Sequence, residues 1–221
     1  MELFSIDNIL FSLDERSVSL LEFCAVLAGL TCVFLATRAR KENFWAGYLY
    51  TALLFFMFMQ KHLYSSMLIQ PVSLAFNIYG HYRWTHPKQG EANAQKELKI
   101  SLLSWQTRAL FVVGWVVFAL CWGFVLSRLH VINQGLFPPA QQPYLDAFVT
   151  ITILTAQLLS AKKVLECWGC WATVNVTNFI LYVRSGLVFM PIVATAYMIM
   201  AVFGFLGWRK KWRREQSQEA K

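Results

Sequence analysis

Charge is what this 221-residue chain has least of. Only 14% of its residues are Asp, Glu, Lys or Arg, against about 25% in an ordinary soluble domain. Asn43–Gln60, His62–Tyr82, Ala109–Ser127 and Ser185–Trp208 contain none at all. Phe23–Thr37, Ala147–Ala161 and Cys167–Val183 are shorter blocks of the same kind. This scarcity argues against a soluble helical core, because too little polar sequence remains to cover so many apolar helices. Catalytic signatures are also missing. There is no Walker A loop, no H-E-x-x-H, no G-x-S-x-G and no Rossmann fingerprint. The four histidines show no metal-ligand spacing, so neither a metal nor another cofactor is expected, and an enzyme is disfavoured. Cys24, Cys32, Cys121, Cys167 and Cys170 all fall in or at the ends of apolar runs. The C-x-x-C of Cys167–Cys170 lacks the strand-to-helix context of a redox motif and reads as packing, with no disulfide expected. The start, Met1–Asp7, lacks a basic n-region, so a cleaved signal peptide is not expected. Met1–Leu13 is expected as a short surface helix at the outer interface.

What is present is apolar sequence in lengths that suit a bilayer. A spanning helix needs roughly 17–25 mainly apolar residues, and seven spans are predicted, at 18–37, 44–60, 63–83, 106–127, 145–161, 168–184 and 187–208. With the N-terminus outside and the spans alternating, fifteen Lys and Arg fall inside and four outside, a strong positive-inside bias that places the C-terminus in the cytoplasm. The net charge of +8 is therefore a topology signal, and nucleic acid is not an expected partner. The basic tail Trp208–Arg214 lies where anionic headgroups would meet it.

The chain also nearly repeats itself after 124 residues. Leu21–Trp84 slides onto Leu145–Trp208 without a gap, matching Glu22 with Asp146, Thr31 with Thr155, Arg38 with Lys162, Glu42 with Glu166, Gly80 with Gly204 and Trp84 with Trp208. Such self-similarity marks a duplicated unit. The expected plan is an external segment 1–17, a three-helix bundle 18–84, a cytoplasmic linker 85–105, a linking helix 106–127 and an external loop 128–144. A second three-helix bundle, 145–208, and a basic tail, 209–221, complete it. Three spans reverse the side of the chain and the fourth restores it, so the two bundles are expected to be parallel repeats.

Polar side chains inside a bilayer are costly and normally face an interior path or site. At about 100° per residue, Trp168, Trp171, Asn175 and Asn178 fall within about 80° on span six. Asp146, Thr150 and Gln157 share an arc of about 40° on span five, and Gln70, Ser73, Asn77 and Gly80 one face of span three. Hydrogen-bond glue between helices is the alternative for any one residue, but three such faces together fit a ligand cavity. Trp168 lies near the inner interface, where aromatic belts are ordinary; Trp171 is a turn deeper. Indole faces and amide edges suit a flat polar or cationic ring. These faces carry no Lys or Arg to hold a phosphate. Asp146 and Glu22, at the outer mouths, read first as helix N-terminal charges.

Several runs resemble the PnuC-type nicotinamide riboside transporters. They are Leu63-Tyr64, Gln70 and Asn77 through Trp84 in span three; Asp146-Ala147-Phe148, Ala156-Gln157 and Lys162-Lys163 around span five; and Glu166-x-Trp168-x-x-Trp171-x-x-x-Asn175 in span six. Leu181-Tyr182 and Gly186-Leu187 continue the resemblance, which covers roughly residues 18–214. It departs at His81, Leu158 and Val176. The resemblance implies an all-α membrane protein of seven helices arranged 3+1+3, two parallel bundles similar to SWEET transporters. It implies facilitated diffusion of nicotinamide riboside across the bacterial inner membrane, trapped by a cytoplasmic nicotinamide riboside kinase. The implied substrate contacts are Trp168, Trp171 and Asn175, joined by Gln157, Thr150, Gln70 and Asn77; Asn178 is added from its phase. A homo-oligomer such as a trimer is compatible with this reading. Relatives carry thiamine or riboflavin, so those vitamins are the alternatives, and a membrane receptor or assembly factor of the same fold is a further one.

Overall fold

The computed structural model describes residues 8–13, 16–60, 64–93, 97–132, 142–184 and 189–219. Among them are seven helices: α1 (Leu20–Thr37), α2 (Asn43–Gln60), α3 (Tyr64–Thr85), α4 (Trp105–Ile132), α5 (Pro143–Ala161), α6 (Cys167–Arg184) and α7 (Phe189–Glu219). Six of them lie close to the expected spans; α7 runs on for eleven residues past Trp208. Met1–Asp7 and residues 133–141 of the expected external loop lie outside the described residues.

Over Ile9–Leu13 the expected N-terminal surface helix is corrected. Residues Ile9–Leu13 (β1) and Arg16–Ser19 (β2) form an antiparallel hairpin, paired from Ile9↔Ser19 to Leu13↔Arg16. β-branched Ile9 and Val18 favour extended backbone over helix. Ser19 then starts α1 as its N-cap, its hydroxyl accepting the Glu22 N–H at 3.2 Å. Ser19-x-x-Glu22 is thus an S-x-x-E start in which the acid also opposes the helix dipole, a device stabilising by about 1 kcal/mol.

The chain divides into two compact units. The first comprises Met1–Lys99 and Leu206–Lys221, the second Ile100–Phe205. In the first, α1 packs on α2 and α2 on α3. Leu21, Ala25 and Ala28 recur at helical spacing on α1 and are buried with Leu53 and Met57 of α2. Small residues on that stripe let two backbones approach, which is how helices associate in lipid. The outer sides carry Leu27, Leu49 and Phe56, about half exposed, a surface suited to acyl chains and not to water. The end of α7 belongs to this unit. Trp208, 1% exposed, donates its indole N–H to the Ala36 carbonyl at 2.8 Å, and its ring meets Trp84 edge-on with centroids 5.7 Å apart.

In the second unit α4 packs on α5 and α5 on α6. Trp115 of α4 donates to Thr152 Oγ1 at 3.0 Å and lies against Phe148, centroids 5.0 Å apart. The Tyr144 ring occupies the space a side chain at Gly123 would need. The rest of α4 is open: Leu110 is 71% and Phe118 67% exposed, as a lipid-facing helix requires.

The sequence repeat is visible in the backbone. Among the described residues, Ala39 and Lys163, separated by the same 124 residues, are the non-glycine residues with positive φ, at 54° and 56°. The caps before them match as well, with Arg38 at φ −87°, ψ 2° and Lys162 at φ −86°, ψ 1°. In the first turn Ala39 N–H bonds to Ala36 O and Arg40 N–H to Leu35 O; in the second Lys163 N–H bonds to Ser160 O and Val164 N–H to Leu159 O. These are Schellman-type closures. The left-handed residue costs about 1–2 kcal/mol without glycine, so the same strain is carried at the same place in both copies.

Among the described residues, four helices are long and apolar enough to cross a membrane by length and composition: Leu20–Thr37, Trp105–Arg128, Pro143–Ala161 and Pro191–Gln218. The other three helices, α2, α3 and α6, are 18, 22 and 18 residues long and carry many of the amides and hydroxyls that lower hydropathy.

Candidate substrate-binding face

Six of the eight expected site residues lie in the second unit. On α6, Trp168 is 4% exposed, and Trp171, Asn175 and Asn178 are half-buried. Val176, Ile180 and Val183 are exposed on the other side of the helix, so the indole and amide face is the sheltered one. On α5, Thr150 and Gln157 are half-buried. The two helices are tied at this face by the Trp171 indole N–H, which donates to Ser160 Oγ at 3.2 Å. Ser160 follows Gln157 by three residues and so shares its side of α5. With its N–H engaged, Trp171 offers a ring whose orientation is fixed, a platform for a flat or cationic ligand.

Trp168 is held differently. A Cβ placed on Gly204 of α7 would come within 2.5 Å of three atoms of the Trp168 indole. The ring therefore lies on bare helix backbone, and glycine is needed there for room rather than for its φ.

The α5–α6 turn that launches these tryptophans is secured by the segment before α4. Ser101 bridges Val164, with Ser101 N–H to Lys163 O at 3.1 Å and Leu165 N–H to Ser101 O at 2.9 Å. Glu166 Oε1 accepts the Leu103 N–H at 3.1 Å and the Arg108 Nε–H and Nη2–H at 2.8 and 2.7 Å. One carboxylate thereby fixes both the entrance of α4 and the first turn of α6, two residues from Trp168.

Gln70 and Asn77 belong to the first unit. Gln70 is buried, as is Ser73 one turn on. Asn77 is committed within its own bundle. Its amide donates to Thr51 Oγ1 at 3.4 Å, and a Cβ on Gly47 would stand 2.8 Å from its Oδ1. The repeat explains this choice. Gly47 and Thr51 are the counterparts of Trp171 and Asn175, and Asn77 is the counterpart of Ala201. Where one copy has a large α6 residue it has a small α7 residue; the other copy has the reverse. Near the end of α3, His81 stacks on Phe44 with centroids 5.4 Å apart, and its Nδ1 is 2.9 Å from the Tyr48 hydroxyl.

Two contributors to this region, Ser160 and Gly204, carry no motif of their own. Ser160 was legible only as a hydroxyl one turn from Gln157. Gly204 was legible only as the counterpart of Gly80, without its partner Trp168. The Glu166–Arg108 pair joins residues 58 apart; Glu166 stands in the run before Trp168, whereas Arg108 carries no signal of its own.

These features define a helical membrane protein, with a short N-terminal hairpin and an amide- and indole-bearing face on its more polar helices. The chain belongs to the family described as nicotinamide mononucleotide transporter, whose model matches residues 19–210. Among its relatives, the nicotinamide riboside transporter PnuC of Escherichia coli (strain K12) is 27% identical, with 99% of this chain and 98% of that protein covered. The PnuC transporter of Neisseria mucosa is 24% identical over 88% and 73% of the two chains. The riboflavin/roseoflavin transporter RibM of Streptomyces davaonensis is 22% identical over 93% and 92%. The fold matches the crystal structure of a vitamin B3 transporter PnuC with a TM-score of 0.67 at 20% identity, covering 88% of this chain and 83% of that one.

Proposed function

We propose that this protein carries nicotinamide riboside across the bacterial inner membrane by facilitated diffusion, as a uniporter. Phosphorylation by a cytoplasmic nicotinamide riboside kinase then traps the vitamin. The N-terminus faces outside and the C-terminus inside, and the seven helices form two parallel bundles joined by α4, in a chain that assembles as a homo-oligomer such as a trimer. The substrate contacts are Trp168, Trp171, Asn175, Asn178, Gln157 and Thr150, with Gln70 and Asn77 as further candidates.

The observation that carries this reading is the Trp171–Ser160 tie. It holds an indole on the same sheltered face of α6 as Trp168, Asn175 and Asn178. A nicotinamide ring is cationic in the riboside, so the indole face attracts it. The carboxamide and ribose hydroxyls have donors and acceptors to meet in the amides. No lysine or arginine lies on the face, which favours the nucleoside over its phosphate.

Riboflavin is the second reading, supported by the similarity to RibM along nearly the whole chain. Calorimetry on the purified protein with nicotinamide riboside, riboflavin and thiamine decides between them. The proposal requires nicotinamide riboside to bind most tightly. Tighter riboflavin or thiamine binding, or no binding of any of the three, would overturn it.

A further inference from the structure

The end of α7 is more than a topology signal. Leu206, Arg209, Lys210, Arg213, Arg214, Ser217 and Gln218 are exposed together along the end of α7. Their spacing of three and four residues puts them on one face of the helix. That face bears four cations and no carboxylate. The other side of this helix end is occupied. Trp208 is buried and bonded to Ala36 O, and Glu215 accepts from Asn93 Nδ2 at 3.4 Å. The helix is therefore fixed in rotation with its cations outward.

The same face, followed back along α7, is apolar and open. Ile192, Ile199, Val202, Phe203 and Leu206 fall on it at helical spacing and are 50–64% exposed. One continuous face thus changes from hydrocarbon-compatible to cationic within a single turn, at Leu206–Lys210. We infer that this face is a seat for an anionic phospholipid, its acyl chains along Ile199–Leu206 and its phosphate among Arg209, Lys210, Arg213 and Arg214. Guanidinium groups bind phosphate oxygens in pairs, and Ser217 and Gln218 extend the polar end. A zwitterionic lipid has the same phosphate but brings a compensating cation, so net charge sets the preference.

The test uses the full-length protein in an uncharged detergent, with bound lipid read by native mass spectrometry against phosphatidylglycerol and phosphatidylcholine of matched chains. The wild type should retain phosphatidylglycerol in preference, and rising salt should weaken the preference. R209Q/K210Q/R213Q/R214Q should reduce phosphatidylglycerol retention at least tenfold, on the order expected for four juxtamembrane charges. R209K/R213K/R214K, which keeps the charge, should retain the preference. Equal retention of the two lipids by the wild type would overturn the inference, as would unchanged phosphatidylglycerol retention in the quadruple variant. Displacement of the lipid by inorganic phosphate would also overturn it, by showing a site for the free anion. Should the quadruple variant fail to fold, the wild-type lipid ratio and its salt dependence still decide.

Discussion

The Trp168 indole lies so close to the bare Cα of Gly204 that a single added methyl would come within 2.5 Å of three ring atoms. Tryptophan is large and stiff, and here it is 4% exposed, so it cannot yield by a small rotamer change. Gly204→Ala should therefore push the ring from its seat and weaken binding of nicotinamide riboside about tenfold or more, a cost of the size seen for overpacking. Gly169→Ala is the matched control. It lies next to Trp168 in sequence, but a Cβ there meets nothing within 4 Å, so affinity should be unchanged. Equal effects of the two substitutions in a binding titration would show that the Trp168 seat does not matter.

The Trp171–Ser160 bond divides the role of that indole into platform and anchor. Trp171→Ala removes the platform and should abolish measurable binding. Ser160→Ala leaves the ring but frees its N–H, and should weaken binding roughly 3- to 10-fold, the size of one neutral hydrogen bond. Calorimetry distinguishes the two. An unaltered affinity for Trp171→Ala would mean that this face is packing alone.

Asn77 and Gly47 form a size-matched pair, with 2.8 Å between Asn77 Oδ1 and the position of a Cβ on Gly47. Gly47→Ala should lower the melting temperature, and Asn77→Ala in the same chain should restore part of the loss. The double-mutant cycle measures the coupling. Additive losses would indicate no contact. If Asn77 also serves the substrate, the rescued double variant will remain weak in binding.

The loop after α3 has its own pH dependence. Glu91 accepts from Arg83 Nη2 at 2.7 Å and from the Lys88 N–H at 3.2 Å. The Arg83 hydrogen bond first, then the Lys88 N–H, holds its carboxyl below the ordinary carboxylate range. A carboxylate favoured in the folded state stabilises it above its unfolded pKa, and that contribution is lost as the pH falls through the lowered folded value. Hydrogen exchange across residues 85–93 should speed up as the pH falls below about 4, after correction for intrinsic rates. Glu91→Gln should give fast exchange already at neutral pH. A wild-type segment equally protected across that range would contradict this.

How much of this was legible beforehand follows from which residues make each feature. The helices were, because a charge-free run of bilayer length has one stable conformation in lipid. The duplicated corner was, since Arg38 and Lys162, or Glu42 and Glu166, announce themselves as charges at equivalent edges. Its left-handed residues were not, because Ala39 and Lys163 are not glycines. The N-terminal hairpin was hidden by apolar residues that serve a strand and a surface helix alike. The bridge of Ser101 to Val164 was hidden because it is made by backbone groups, which every residue has. The phase of Trp171 and Asn175 was readable from α6 alone, whereas the serine that holds Trp171 lies on another helix.

The central claim is transport of nicotinamide riboside through the chain itself. Uptake of labelled nicotinamide riboside into proteoliposomes, with no ion gradient imposed, tests it most directly. The account predicts that the label equilibrates across the membrane, that unlabelled nicotinamide riboside inside accelerates its entry, and that Trp171→Ala removes the flux. Binding without flux, flux that needs an ion gradient, or faster entry of riboflavin or thiamine would contradict it.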